Sequence, residues 1–237
     1  SGTTTLGGAI GSTTALEKLS SLTTDAAGTT AINGGSITTT GAQTFNDAVT
    51  LGADTTLTGV GITLASTVKS MGGNRSLAIN DSSATTLGGA VYAASVDTNV
   101  GGTLAINGSR VDTTGTQTYG ELAVLGANTT LKGSSVNLSQ GADAATAGAQ
   151  SLTIDGDATL GGNLGANRAL ASLDVTGATA IDTGRIATTG DQSYDGAVTL
   201  GQDVSLATQG GDVHLGGTLE GGHALAIAAN GGDVSFD

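Results

Sequence analysis

The side chains of this 237-residue chain that could do chemistry are two histidines, 20 acids and many hydroxyls; it has no cysteine. His214 and His223 are nine residues apart and fit no metal-ligand spacing such as His-Glu-x-x-His, so they read as solvated or stacked positions. Without Cys there is no thiol nucleophile and no Cys-based zinc site. No Gly-x-Ser-x-Gly elbow sits beside a histidine and an acid. Gly161-Gly162-Asn163-Leu164-Gly165 is a weak phosphate-loop look-alike that lacks the Lys-Ser/Thr which grips the phosphate. The acids offer two pairs, Asp155 with Asp157 and Asp191 with Asp195. Paired carboxylates with calcium and a base would suit cleavage of a polysaccharide. The seven basic residues are scattered, however, and the plainer reading is that the acids mark turns and keep the chain soluble. Gly210-Gly211-Asp212-Val213 and Gly231-Gly232-Asp233-Val234 look like pieces of a calcium-binding nonapeptide, but do not recur every nine residues. A flat, ice-binding threonine array is disfavoured, because pairs such as Thr39-Thr40 precede glycine and so fall at strand ends. No catalytic residue, metal ligand or cofactor site is assigned, and the chain reads as a non-enzyme.

Composition narrows the partners. The formal charge is −13, opposite to what nucleic acid or an anionic membrane surface attracts. No apolar run approaches the length of a bilayer-spanning helix, so no membrane insertion is expected. The chain opens Ser1-Gly2-Thr3, with neither an initiator Met nor a basic-then-apolar signal, and is expected to be a mature chain or a piece of a longer one. It has 41 Gly and no Pro or Trp, and its aromatic residues are Phe45, Tyr92, Tyr119, Tyr194 and Phe236. Its interior must therefore come from Ala, Val, Leu and Ile.

The chain repeats. Thr39-Thr40-Gly41-Ala42-Gln43-Thr44-Phe45 aligns with Thr113-Thr114-Gly115-Thr116-Gln117-Thr118-Tyr119 and Thr188-Thr189-Gly190-Asp191-Gln192-Ser193-Tyr194. Further columns follow at Leu57, Leu131 and Leu206, and at Ile79, Ile154 and Ile227. Three units of about 75 residues result, approximately 1–81, 82–156 and 157–237, within a single segment. The motif residues Gln43, Phe45, Gln117, Tyr119, Gln192 and Tyr194 are assigned a structural part, each ring filling a wide corner; a sugar-stacking platform is the sharper alternative. Gly-Asp steps at 190–191, 211–212 and 232–233 set a shorter beat of 21 residues.

Between these landmarks, segments of three to six residues alternate apolar and small polar side chains, as in Ala48-Val49-Thr50-Leu51. Gly, Asn and Asp separate them, as tight turns require. Only residues 15–22, with Leu16, Leu19 and Leu22, look helical. A sandwich would show longer strands and more aromatics. The expectation is all-β: a parallel β-helix, or β-solenoid, of about 12 coils of roughly 19 residues, four to each repeat. A narrow interior admits only small aliphatics, stacked turns want glycine, and a ladder that uses nearly every N–H excludes proline.

The Thr-Thr-Gly-x-Gln-x-Tyr/Phe motif, followed by Ala-Val-Thr-Leu-Gly-x-Asp, resembles repeats of filamentous-haemagglutinin-like, two-partner secreted bacterial adhesins, over about residues 3–237. That resemblance implies a right-handed helix, an extracellular or cell-surface address, and a role as shaft or adhesive fibre that contacts glycans or proteins of host or neighbouring cells. Two rivals stand beside it: a filament subunit that stacks end to end, and a polysaccharide-active β-helix enzyme.

Overall fold

A computed structural model describes residues 2–11 and 19–237. The described chain is all-β apart from one short 3₁₀ turn, Met71–Gly73. Among the described residues the strands pair in parallel, which hairpins cannot produce, and each pairs with one about a lap away. The fold is the expected parallel β-solenoid. Laps vary: Ala48 faces Thr29, 19 residues back, whereas Gly28 faces Gly2 across 26. Longer corners spend residues without adding turns, so about 10 turns form rather than twelve. No helix among the described residues is long and apolar enough to cross a membrane.

Contacts divide the chain into two units, Ser1–Glu121 and Leu122–Asp237. In the first, three columns of strands form the sides of the coil. One column stacks Gly28–Ile32, Ala48–Leu51, Val68–Ser70, Val91–Ala93 and Arg110–Thr113. A second stacks Ser36–Thr38, Thr55–Gly59, Leu77–Asp81, Val96–Thr98 and Thr116–Tyr119. The third runs from Leu22–Thr23 through Gln43–Phe45, Ile62–Leu64 and Ala84–Leu87 to Thr103–Ile106. The second unit repeats the scheme. Its long strands Thr129–Leu138 and Leu152–Leu160 pair along both arms, with the register shifting between Lys132 and Ser135. Gln192–Tyr194, Val213–Leu215 and Val234–Phe236 then stack in succession.

Alternation builds the core. Val49, Val68, Val91 and Val111 sit directly over one another and are all buried, as are Leu64, Leu87 and Ile106. Each buried aliphatic contributes about 1.5–3 kcal/mol relative to an exposed one. Their flanking residues point outward, which is why Thr fills those positions. The Gly-Asp steps stack too closely for any side chain: a Cβ on Gly211 would lie 2.1 Å from the Gly190 carbonyl carbon, and one on Gly232 would lie 2.2 Å from the Gly211 oxygen.

Two further expectations need correction. Of the helical-looking residues 15–22, those up to 18 lie outside the described residues, but Leu19 makes a parallel bridge to Thr39 and Leu22–Thr23 is strand. The 75-residue repeat is not four coils. Gln43–Phe45 lies in the third column of the first unit and Gln117–Tyr119 in the second column. From Gln43 the third column advances to Ile62, Thr85 and Leu104, and Gln117 falls short of the next step. The repeat therefore spans about three and two-thirds laps.

Candidate functional site

The three motif copies build one and the same corner clip. Thr39 Oγ1 donates to the Gly41 carbonyl at 2.7 Å, closing the turn, and accepts from Gln43 Nε2 at 3.2 Å. Gln43 Nε2 also reaches the carbonyls of Ile37 (3.3 Å) and, one lap on, Thr58 (2.9 Å). In the second copy Thr113 donates to the Gly115 carbonyl, and Gln117 donates to Thr113 and to the Val111 carbonyl. In the third, Thr188 donates to the Gly190 carbonyl, and Gln192 donates to Thr188, Ile186 and Ala207. The ring two residues on lies inward in every copy: Phe45, Tyr119 and Tyr194 are all 0% exposed. They fill the coil and cannot stack a sugar. Burial pushes both Tyr phenols far above their ordinary pKa of 10.0.

The tyrosines also complete the clip. Tyr119 donates to Gln117 Oε1 at 2.8 Å and Tyr194 to Gln192 Oε1 at 3.2 Å. Phe45 has no hydroxyl, and the buried Gln43 Oε1 has no partner. A buried acceptor left so costs about 1–3 kcal/mol.

Acids are spent on corners. Asp191 Oδ1 accepts the backbone N–H of Asp212 at 2.9 Å, and Asp212 Oδ1 that of Asp233 at 2.8 Å, so the 21-residue beat is a ladder between laps. Asp157 accepts the Ala178 amide, Asp155 pairs with Lys132, and Asp195 accepts from the Ser193 hydroxyl. Each residue of the two acid pairs thus has its own structural partner. His214 lies 3.6 Å from Asp237 and His223 3.6 Å from Asp203, on separate carboxylates. Among the described residues no three His, Cys, Asp or Glu side chains converge as metal ligands.

Three acids are buried with donors. Asp47 accepts from the hydroxyls of Thr24 and Thr30, Asp143 from Asn167, and Asp81 from the amides of Gly61, Ile62 and Ser83 and the Thr85 hydroxyl. Glu121 differs: it is 2% exposed and neither carboxylate oxygen has a hydrogen-bond partner. Burial raises its pKa. The neighbouring Thr98 hydroxyl and its own backbone amide offset part of the rise, and the Asp81 charge adds to it.

Outside the first column of the first unit lies a shallow groove of about 290 Å³, lined by Lys69, Tyr92, Asp112 and Thr114 with Ser70, Ala93 and Thr113 beneath. Lys69, Tyr92 and Asp112 stand side by side on successive laps because Tyr92 pairs with both neighbours. The Lys69 ammonium is 5.9 Å from the Tyr92 ring centre. Arg110 binds Asp112 Oδ2 through Nε at 3.1 Å and Nη2 at 3.0 Å. Reading the motif alone missed this groove. Its one linear signal is that Tyr92 stands outside the aromatic column shared by Phe45, Tyr119 and Tyr194.

Compared with protein-family models, curated proteins and solved structures, the chain matches none.

Proposed function

We propose that this chain is an extracellular structural and adhesive repeat segment, the shaft of a bacterial surface adhesin or matrix fibre of the filamentous-haemagglutinin-like kind. In this reading it is not an enzyme, and its partners are glycans or proteins on host or neighbouring cells. The observation that supports it is the fate of the recurring motif. Its Thr, Gln and aromatic side chains are turned inward and spent on holding corners, so what the repeat preserves is architecture. Stacked laps extend such a scaffold by near-neighbour contacts, and outward rows of Thr, Asn and Asp suit weak multivalent contacts. An antibody against the chain should label intact, unpermeabilised source cells, and deleting the segment should reduce their attachment to surfaces. Labelling only after permeabilisation overturns the reading.

A second reading is a filament subunit that stacks end to end, because an uncovered parallel strand edge pairs readily with another. Electron microscopy of the purified chain decides: growing fibres favour the filament, and monodisperse particles favour the shaft.

A further inference from the structure

We propose that the outward groove formed by Lys69, Tyr92 and Asp112 is a binding subsite for a neutral saccharide. The inference deepens the adhesive part of the proposed function and rests on it only for its biological setting.

The groove is built by register. Val68, Val91 and Val111 point into the core, so Lys69, Tyr92 and Asp112, next to each, must point out. At the spacing of neighbouring strands the three rows span about 10 Å. They place a cation, an aromatic ring and a carboxylate in a line over a floor of the small residues Ser70, Ala93 and Thr113. Tyr92 is 36% exposed, whereas the motif aromatics are fully buried. Among the described residues Lys69 has no carboxylate within ion-pair distance; its ammonium lies over one side of the Tyr92 ring and keeps N–H donors to offer a ligand. Asp112 is held by Arg110 through Oδ2 alone, which fixes the carboxylate and leaves Oδ1 to accept.

A saccharide matches this order of groups. Its C–H face stacks on an aromatic ring, and each hydroxyl both donates and accepts, so neighbouring hydroxyls engage an ammonium on one side and a carboxylate on the other. Most small-ligand sites combine an apolar lining with a few convergent polar groups in the same way. An acidic saccharide would face Asp112 at contact range and a chain of net charge −13 at long range, so the neutral class is the one that fits.

The test is an array of neutral oligosaccharides (glucans, galactans and mannans) with sialylated and uronate-bearing arms, probed with the full chain, and titration calorimetry on the best binder. A neutral oligosaccharide should bind. Tyr92→Ala should weaken it at least about tenfold, while Tyr92→Phe, which keeps the ring, stays within about threefold. Lys69→Met and Asp112→Asn should each weaken it, and all four variants should keep the parent's circular dichroism and unfolding midpoint. Backbone amides of residues 68–70, 91–93 and 110–113 should shift on binding. Binding to no neutral arm, preference for an acidic one, or full affinity in folded Tyr92→Ala overturns the inference. A chain displayed on cells that binds no neutral saccharide removes this inference alone. One that binds but stays inside the cell removes only the setting.

Discussion

At the scale of single residues, the three clips form an internal experiment. Copies two and three pair the Gln carbonyl oxygen with a Tyr hydroxyl, whereas copy one has Phe45 and an orphaned Gln43 Oε1. Phe45→Tyr should raise stability by about 1 kcal/mol, read from the urea unfolding midpoint, and Tyr194→Phe should lower it by at least as much. No change in either variant, or a loss in both, would show that the ring's volume and not the hydroxyl decides. Glu121 carries the other residue-scale prediction. Its folded pKa is raised, so its contribution to stability is fully present below the ordinary carboxylate value and is lost as pH rises through the folded value. Glu121→Gln removes that loss. The variant's advantage over the parent should grow as pH rises from the ordinary carboxylate range toward neutrality. An advantage that does not change with pH would place the effect in packing instead.

Elements depend on contacts between laps more than on contacts along the chain. The Gly-Asp steps show the division of labour: glycine allows two laps to close, and aspartate accepts the amide of the lap above. Gly211→Ala should destabilise the second unit by about 1–3 kcal/mol, because the added methyl meets backbone that cannot move aside. Calorimetry of the variant checks it, and an unchanged transition would mean that the laps part there at little cost. This scale is also where the amino-acid sequence was most readable. Alternation in Ala48–Leu51, the glycine-marked turns and the 21-residue beat together point to stacked short strands, and those strands are present. The equivalence of Gln43, Gln117 and Gln192 was readable as well, and the three make matching hydrogen bonds to a Thr four residues back. The groove was not. Lys69 and Tyr92 are 23 residues apart and Tyr92 and Asp112 are 20 apart, so uneven corners hide their adjacency from any fixed period. Glu121 was hidden for another reason: an acid after a turn reads as solvated, and only the stacking of laps buries it.

For the molecule as a whole, the pairing pattern predicts locality. Each lap touches its neighbours, so stability is close to a sum of near-neighbour increments. Leu57→Ala should cost about 2–5 kcal/mol, and amide exchange should quicken in the laps around residues 36–38, 55–59 and 77–81 while the second unit keeps its protection. Uniform loss of protection throughout both units would show a single cooperative block and weaken the view of a modular shaft.

The mismatch between a 74-residue spacing and a lap of about 20 bears on how such a chain can diversify. Copying one repeat lengthens the molecule and also swings everything after it to a different compass bearing. A duplication or slippage event in the gene can thus re-aim a groove such as the one around Tyr92 without altering a single side chain within it. Only after three copies does the original heading return.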